Sequence, residues 1–485
     1  MIDNKKKISA QTNAMNYNMK THREVEKNIE YLSSALKDSP DIIKREFIAA
    51  RDTKAYLVCV DGLSDQALLQ DSVLESLVQN VLISNIAPNP NKLLQNITAP
   101  TYSLVEDFNV IILLILSGDT ALFIDGIDKA IIIASRGFVG RGVPETSTEI
   151  VVQGSKEAFS EGLRTNTSLI RRRIRDANLT LEQLNLGTKT KTDIALMYMQ
   201  GAVNEAVLEK VKEDLKSFSI EAILDIGYIE EFIEKSPYSP FPTTQITERP
   251  DKAASAILEG RLVIICDNSP FALIIPTVFS SFFESSEDFY GRSITMSLSR
   301  LLRYLAFLIS VTLPGLYLAI VLFNPNMIQP SLLFRMEQAR REVPFPLFLE
   351  FFLMDTAFEL LKEAGIRLPS AIGSTIGVVG GIIIGQAAIE AGLASPIVVI
   401  IVALVAICSF TIPSNQLSSV VRICKYILLF SSAFLGLFGF WIGFIFIIIH
   451  LSALKSFGEP YLYPFVGSNY KGILKALLRP ALKSQ

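Results

Sequence analysis

Two hydrophobic rhythms divide the chain: short apolar runs broken by charge up to about Arg300, and long ones after it. In the first part REVEKNIEYLSSALKDS has helical spacing, AYLVCVDGL from Ala55 predicts a strand, and QALLQDSVLESLVQNVL from Gln66 returns to the helical period. The run NVIILLILSGDTALFIDGIDKAIIIAS has the greasiness of a membrane span, but Gly118, Asp119, Asp125, Gly126 and Asp128 interrupt it every few residues. Pieces this short fit a buried helix followed by a hairpin around Asp125 to Asp128.

From Gly140 the alternation continues. Ser155 to Ala177 predicts a helix, LTLEQLNLG and DIALMYMQ predict strands around a Gly187 to Lys191 turn, and NEAVLEKVKEDLKSF predicts an amphipathic helix. A short strand and helix are expected in IEAILDIGYIEEFIEKS, then a proline-stiffened junction. Thr247 or Asp251 is the expected cap of a helix ending near Glu259, and RLVIICD with FALIIPT predicts a hairpin. Alternating elements of this kind make an α+β domain of two lobes. Arg171, Arg172, Arg173 and Arg175 form a basic run open to three partners: acids of the same domain, such as Glu145 and Glu149, a neighbouring subunit, or lipid phosphates.

After Arg300 the rhythm suits a bilayer. Tyr304 to Phe323 supplies about 20 apolar residues around Pro314 and Gly315. SLLFRMEQARRE predicts a short helix, and PFPLFLEFFLMDTAFELLKEAG an amphipathic one lying in or part-way into the interface. Its acids Glu350, Asp355 and Glu359 are either an acidic vestibule attracting cations or a solvated face. In AIGSTIGVVGGIIIGQAAIEAGLA, Gly373, Gly377, Gly381 and Gly385 fall every fourth residue, a side-chain-free stripe that lets helices pack closely in lipid. The opposed stripe of Thr375, Val379, Ile382, Gln386 and Glu390 is a candidate pore lining, or the outer face of a packing helix. Pro396 to Ile412 and Ile427 to His450 complete about four spans.

The expected organisation is therefore a flexible arm (1–23), lobe 1 (24–139), lobe 2 with the junction (140–290), a helical membrane domain (291–454) and a basic tail (455–485). Half of the 485 residues are hydrophobic and mean hydropathy is +0.38. Of 45 basic and 48 acidic residues, 14 and 8 lie from Arg300 onward, so that half is near +6 and the rest near −9. Neither value suggests a nucleic-acid partner. The N-terminus lacks the apolar stretch of a secretory signal, which points to a cytosolic soluble part. Cys59, Cys266, Cys408 and Cys424 are scattered and read as reduced structural thiols. With His22 and His450 the only histidines, and no phosphate loop or nucleophile elbow, neither an enzyme nor a metal or cofactor protein is expected.

At GRGVPET, KEAFSEGLRTNTSLIRRRI, PFPTTQITERPD, LEGRLVIICDNSPF, EVPFP, EAGIRLPSAIG and SFTIP, the chain resembles the GerA family, the A subunits of spore germinant receptors. The related stage V sporulation AF protein shares the layout. The resemblance covers nearly everything from Val25 to the tail. It implies a cytoplasmic two-lobed domain, a multi-pass membrane domain, and residence in the spore inner membrane with both termini cytoplasmic. It also implies a transporter-like B subunit, a lipoprotein C subunit, and assembly into a homo-oligomeric ring conducting monovalent cations. Glu145-Thr146 and Gln153-Gly154-Ser155-Lys156 depart from the family's usual Glu-Pro and Arg-Gly-Pro-Lys. Two readings stay open beside each other: a ligand-gated channel subunit, or a scaffold that relays without conducting. Thr247, Glu248 and Arg249, before Pro250, are a candidate relay between the soluble and membrane parts.

Overall fold

The computed structural model describes residues 20–50, 53–78, 101–137, 144–367, 380–381, 383–467 and 470–480. The chain folds as two compact units, one mainly 1–276 and the other mainly 277–485.

The first unit is an α+β structure with two five-stranded antiparallel sheets. In the first lobe α1 (Val25–Ala35), β1 (Ile42–Ala50) and β2 (Thr53–Val60) come first, then α2 (Gln66–Leu69) with a π turn through Leu74. β3 (Tyr102–Val105), α3 (Phe108–Leu116), β4 (Thr120–Ile124) and β5 (Ala130–Ile133) follow. The strand order is β1-β2-β4-β5-β3. Because side chains alternate along a strand, Val58, Val60, Ala121 and Phe123 pack with α1 and α3, while Leu57, Cys59, Leu122 and Ile124 pack with Leu69, Val73 and Leu77 on the opposite face. Burial on both faces explains the continuous apolar runs. The buried helix and the hairpin at Asp125 to Asp128 stand where the spacing places them.

The second lobe repeats the first. It runs α4 (Leu163–Arg173), β6 (Leu179–Leu186), β7 (Thr192–Met199), α5 (Glu205–Ser217), α6 (Ile226–Ile233), β8 (Gln245–Thr247), α7 (Pro250–Leu258), β9 (Leu262–Cys266) and β10 (Ala272–Ile275). Its order β6-β7-β9-β10-β8 is that of the first sheet, strand for strand. The sequence carries the same repeat: Ile115–Ile133 and Ile257–Ile275 align without a gap and agree at seven of nineteen positions, among them Gly118 with Gly260 and Asp125 with Asp267. Both glycines follow a helix with positive φ, +98° and +86°, the backbone state that ends a helix without the penalty a side chain would add.

Three expectations are corrected here. The helix placed at Ser155 to Ala177 covers only Leu163–Arg173, because Gly162, with extended backbone, is its N-cap residue and the stretch before it is not helical. Neither Thr247 nor Asp251 caps α7; Arg249 stands at the N-cap without a side-chain cap, and Pro250, which has no N–H to satisfy, occupies the first turn. The segment before α6 contains no strand.

The second unit is helical: α8 (Ser293–Phe323), α9 (Pro330–Arg340), α10 (Leu347–Arg367), α11 (Pro396–Phe410), α12 (Asn415–Ala453) and α13 (Tyr470–Leu477), with a helical stretch at 383–390 before α11. Among the described residues α8 and α12 are long and apolar enough to cross a membrane, and α11 is a shorter apolar helix. Large apolar side chains stay exposed along them, including Leu305, Leu308, Ile400, Ile407, Phe434 and Phe438. Apolar surface on this scale fits lipid contact.

The expected single span from Ile427 to His450 is not one rod. At Gly436 the backbone takes φ 62°, ψ −142°, outside the helical region. A Cβ added to Gly439 would lie 2.1 Å from the Ser431 carbonyl, and one on Gly443 would lie 3.0 Å from Leu428 Cδ2. In a straight helix residues 431 and 439 are about 12 Å apart, so the chain reverses at Gly436 into a helical hairpin. Its arms, 415–435 and 437–453, are about 31 and 25 Å long at 1.5 Å per residue. Gly439→Leu is expected to force the arms apart and remove the folded protein from size-exclusion profiles. Gly381→Ala, whose added Cβ meets only Phe358 at 4.0 Å, is expected to be tolerated. Equal behaviour of the two variants would contradict the hairpin.

Candidate functional site: a charged seam and a polar face among apolar helices

In the helical unit, α10 and the first arm of α12 meet through polar residues at matched spacing. Asp355, Glu359 and Lys362 lie at i, i+4 and i+7 of one helix; Ser418, Arg422 and Lys425 have the same spacing on the other. Running antiparallel, they pair rung by rung. Lys425 Nζ donates to Asp355 Oδ1 at 2.8 Å and to Glu359 Oε1 at 3.0 Å. Arg422 Nε is 3.0 Å from Glu359 Oε2, and Lys362 Nζ donates to Ser418 Oγ at 3.0 Å. The side chains of Lys425 and Asp355 are each 4% exposed. Nearer the start of α10, Glu350 is fully buried, accepts from the Ser395 N–H at 2.6 Å and from its hydroxyl, and faces Arg340 Nε at 3.3 Å.

This placement corrects both readings of the α10 acids. Glu350, Asp355 and Glu359 are neither an open vestibule nor a solvated face, because each carboxylate has a cation or N–H donor of the same chain against it. Arg422 and Lys425 were not singled out from the sequence. Two cations inside an apolar helix were the available signal, since charge at such a position requires a partner.

Of the two stripes on the glycine-rich helix, Gly373, Gly377, Thr375, Val379 and Ile382 lie outside the described residues. The rest of the pattern is visible. Gly385 is buried, and a Cβ there would meet Val399 of α11 at 3.4 Å; a Cβ on Gly381 would meet Phe358 of α10 at 4.0 Å. Gln386 and Glu390 are exposed, and Gln386 Nε2 donates to Glu390 Oε1 at 2.9 Å. The small residues thus face the chain's own helices and the polar pair faces away.

Thr247, Glu248 and Arg249 are buried in the first unit. Glu248 Oε1 accepts the N–H groups of Thr148 and Glu149, both at 2.7 Å, and Oε2 accepts from Ser147 Oγ at 3.2 Å. Burial pushes this carboxyl up, but the backbone donors outweigh it and hold it below the ordinary glutamate value. Arg249 forms a bidentate pair with Asp251, at 3.0 and 2.7 Å, and donates to the Glu149 and Ser155 carbonyls at 3.1 and 2.7 Å. The Thr247 hydroxyl donates to Glu149. Together the three clamp the chain at residues 147–149 and at Ser155.

The Arg run divides. Arg171 is buried and pairs with Asp41 of the first lobe, so it is unavailable to a neighbouring subunit; Arg172 and Arg173 pair with Glu157. Glu149, one of the partners expected for the run, instead binds Lys252. Burial pushes the Cys59 thiol up to about 11 and the Cys266 thiol up to about 12, so both are protonated near neutrality. Among the described residues no group of His, Cys, Asp and Glu is arranged to hold a metal ion.

Comparison with known proteins adds the family. The chain is 39% identical over 455 residues to spore germination protein KA of Bacillus subtilis, covering 93% of this chain and 84% of that one. It is 31% identical over 470 residues to stage V sporulation protein AF of the same organism, covering 96% and 94%. Among solved structures it matches the N-terminal domain of the A subunit of the Bacillus megaterium spore germinant receptor GerK3. The identity there is 32%, the coverage 54% of this chain and 97% of that one, and the TM-score 0.43. The model of the Bacillus/Clostridium GerA spore germination proteins matches residues 30–485. With that match spanning nearly its whole length, the chain belongs to the GerA family.

Proposed function

We propose that this chain is the A subunit of a nutrient germinant receptor in the spore inner membrane, and that copies of it assemble into a ring whose centre conducts monovalent cations. A transporter-like B subunit and a lipoprotein C subunit complete the receptor. The reading gives the chain no enzymatic role.

The observation that carries it is the Gln386–Glu390 pair. In one chain this acid points outward from a helix whose glycine side is packed against α10 and α11. A carboxylate facing lipid is costly, whereas one facing a water-filled passage between copies is solvated and attracts cations. The crossing count fits as well. Because α12 is a hairpin, its arms count twice; because α10 lies antiparallel along the first arm, it crosses rather than lying in the interface. The proposed crossings are α8, α10, the helix expected over the glycine-rich run, α11 and the two arms of α12, an even number that leaves both termini cytoplasmic, in place of the four read from hydropathy.

The test is cation flux from liposomes carrying the purified receptor, with oligomer size measured on the same sample. Glu390→Lys should collapse cation flux without changing oligomer size. A like charge about 6 Å from the ion costs roughly 3 kcal/mol at an effective dielectric of about 20, on the order of a hundredfold in occupancy. Unchanged flux from an oligomer of unchanged size would remove the passage from this face. The buried pairing of the seam favours a second reading, a non-conducting scaffold, which predicts no flux from wild type in a well-formed oligomer.

A further inference from the structure

The seam and the polar face leave one feature of the helical unit unused: a groove of about 500 Å³ where the start of α8 meets the C-terminal tail. One wall is Ser293, Ile294, Ser297, Leu298 and Leu301; the other is Leu474, Lys475, Leu478, Arg479 and Pro480. These walls are about 180 residues apart in sequence, yet they are fastened together. Arg300, buried, donates to the Lys475 and Ala476 carbonyls at 3.1 and 3.3 Å, which satisfies free acceptors at the C-terminal end of α13. Asp288 and Glu284 hold that guanidinium in place, each at 3.2 Å. The Arg479 N–H donates to Ser297 Oγ at 3.0 Å, the Ser293 hydroxyl donates to the Arg479 carbonyl, and the Arg479 guanidinium donates to the Gly291 and Phe289 carbonyls.

Charge and polarity are sorted within this groove. The floor is apolar and open, with Ile294 87% and Leu298 59% exposed. The rim is basic. Lys475 and Arg479 line it, Lys471 lies one turn before Lys475, and Arg292 immediately precedes Ser293. Arg479 is bonded to carbonyls, which leave its charge uncompensated, and among the described residues no carboxylate lines the groove. The groove sits at the end of a membrane-capable helix, and its volume falls in the range of small-molecule sites.

We propose that this groove binds one anionic phospholipid from the cytoplasmic leaflet, with its phosphate against Lys471, Lys475 and Arg292 and an acyl chain along Ile294, Leu298, Leu301 and Leu478. The lipid covers apolar surface that neither wall covers alone, and it neutralises the basic rim. The proposal rests on the membrane part of the preceding reading and not on conduction, so loss of ion flux and loss of lipid binding are separate outcomes.

The full chain is placed in phosphatidylcholine nanodiscs containing a phosphatidylglycerol with a photoreactive acyl chain. Crosslinks should concentrate in residues 293–301 and 474–480, and a phosphatidylcholine probe of the same design should label these segments far less. Lys471→Gln with Lys475→Gln removes two charges whose side chains fasten neither wall to the other, and should weaken retention of the anionic lipid about twenty-fivefold at roughly a factor of five per charge. The pair changed to arginine should retain it. Equal labelling by the two lipids, labelling spread evenly over α8 and α12, or crosslinking of the groove to a second protein copy would each overturn the site.

Discussion

Arg171→Ala is expected to lower the stability of the first unit by about 3–5 kcal/mol, the cost of leaving a buried charge without its partner. Arg171 and Asp41 are 1% and 2% exposed, and the guanidinium reaches the carboxylate through two bonds, of 2.7 and 3.1 Å. Ser39 supports the pair: its hydroxyl donates to Asp41 at 2.6 Å and accepts the Leu181 N–H at 3.3 Å. One pair therefore joins α4 of the second lobe to the turn before β1 of the first. Without Arg171, Asp41 either stays ionised in a dry contact or takes up a proton, and both cost stability. Burial pushes Asp41 up, but Arg171 and the hydrogen bonds prevail and hold its carboxyl below the ordinary 3.8. The folded value being depressed, the pair's contribution is complete above 3.8 and is lost as the pH falls through the lower folded value. Urea unfolding of the purified chain, with hydrogen exchange followed at β1 and β6, is the check. Arg171→Ala should reduce protection in both strands and remove Asp41's share of the acid-dependent stability. A change below about 1 kcal/mol, the range of a surface pair, would mean that this contact is not dry.

What could be read from the sequence follows the range of the interaction. Buried strands and their turns announce themselves locally, so AYLVCVDGL, the Asp125 hairpin and the hairpin of RLVIICD with FALIIPT all stand where alternation and turn residues place them. β1, with Lys44, Arg45 and Glu46 inside it, is an edge strand exposed on one side, and its charges hid it from a reading that looks for apolar runs. The duplication of the lobes was available in the gapless match of Ile115–Ile133 to Ile257–Ile275. It is masked because the other strands and helices differ in sequence between the copies, although a helical stretch follows the second strand in both, at 66–78 and at Glu205–Ser217. The reversal at Gly436 sits inside an unbroken apolar run, which hydropathy cannot divide. Its trace is the spacing of Gly436, Gly439 and Gly443, small residues where two arms must touch. The charged seam needed most from tertiary structure, since Asp355 and Lys425 are partners seventy residues apart and neither helix alone says which face meets the other.

Replacing Lys425 by methionine is expected to be the most damaging single change in the helical unit. Its ammonium is the only cation among the described residues that reaches Asp355, while Glu359 also has Arg422. Asp355 Oδ2 already lacks a hydrogen-bond partner, so loss of Lys425 strands the carboxylate among Phe351, Phe352, Tyr426 and their neighbours. The penalty for a single buried partner removed is about 3–5 kcal/mol, comparable with the whole margin of many domains. Asp355→Asn together with Lys425→Met should recover most of that loss, because no net charge remains unpaired and Arg422 still serves Glu359. The double change also separates two roles of the seam. If the pair only fastens α10 to α12 and the chain conducts as proposed, folded oligomer and ion flux return together in the double variant. If the two helices part during the proposed gating, the neutral pair restores the assembly but leaves the proposed response to nutrient altered, since an apolar contact and an ion pair resist separation differently. Size exclusion and liposome flux on the same three proteins read both quantities. A Lys425→Met chain as stable as wild type would show that the Asp355–Lys425 pair does not hold α10 to α12.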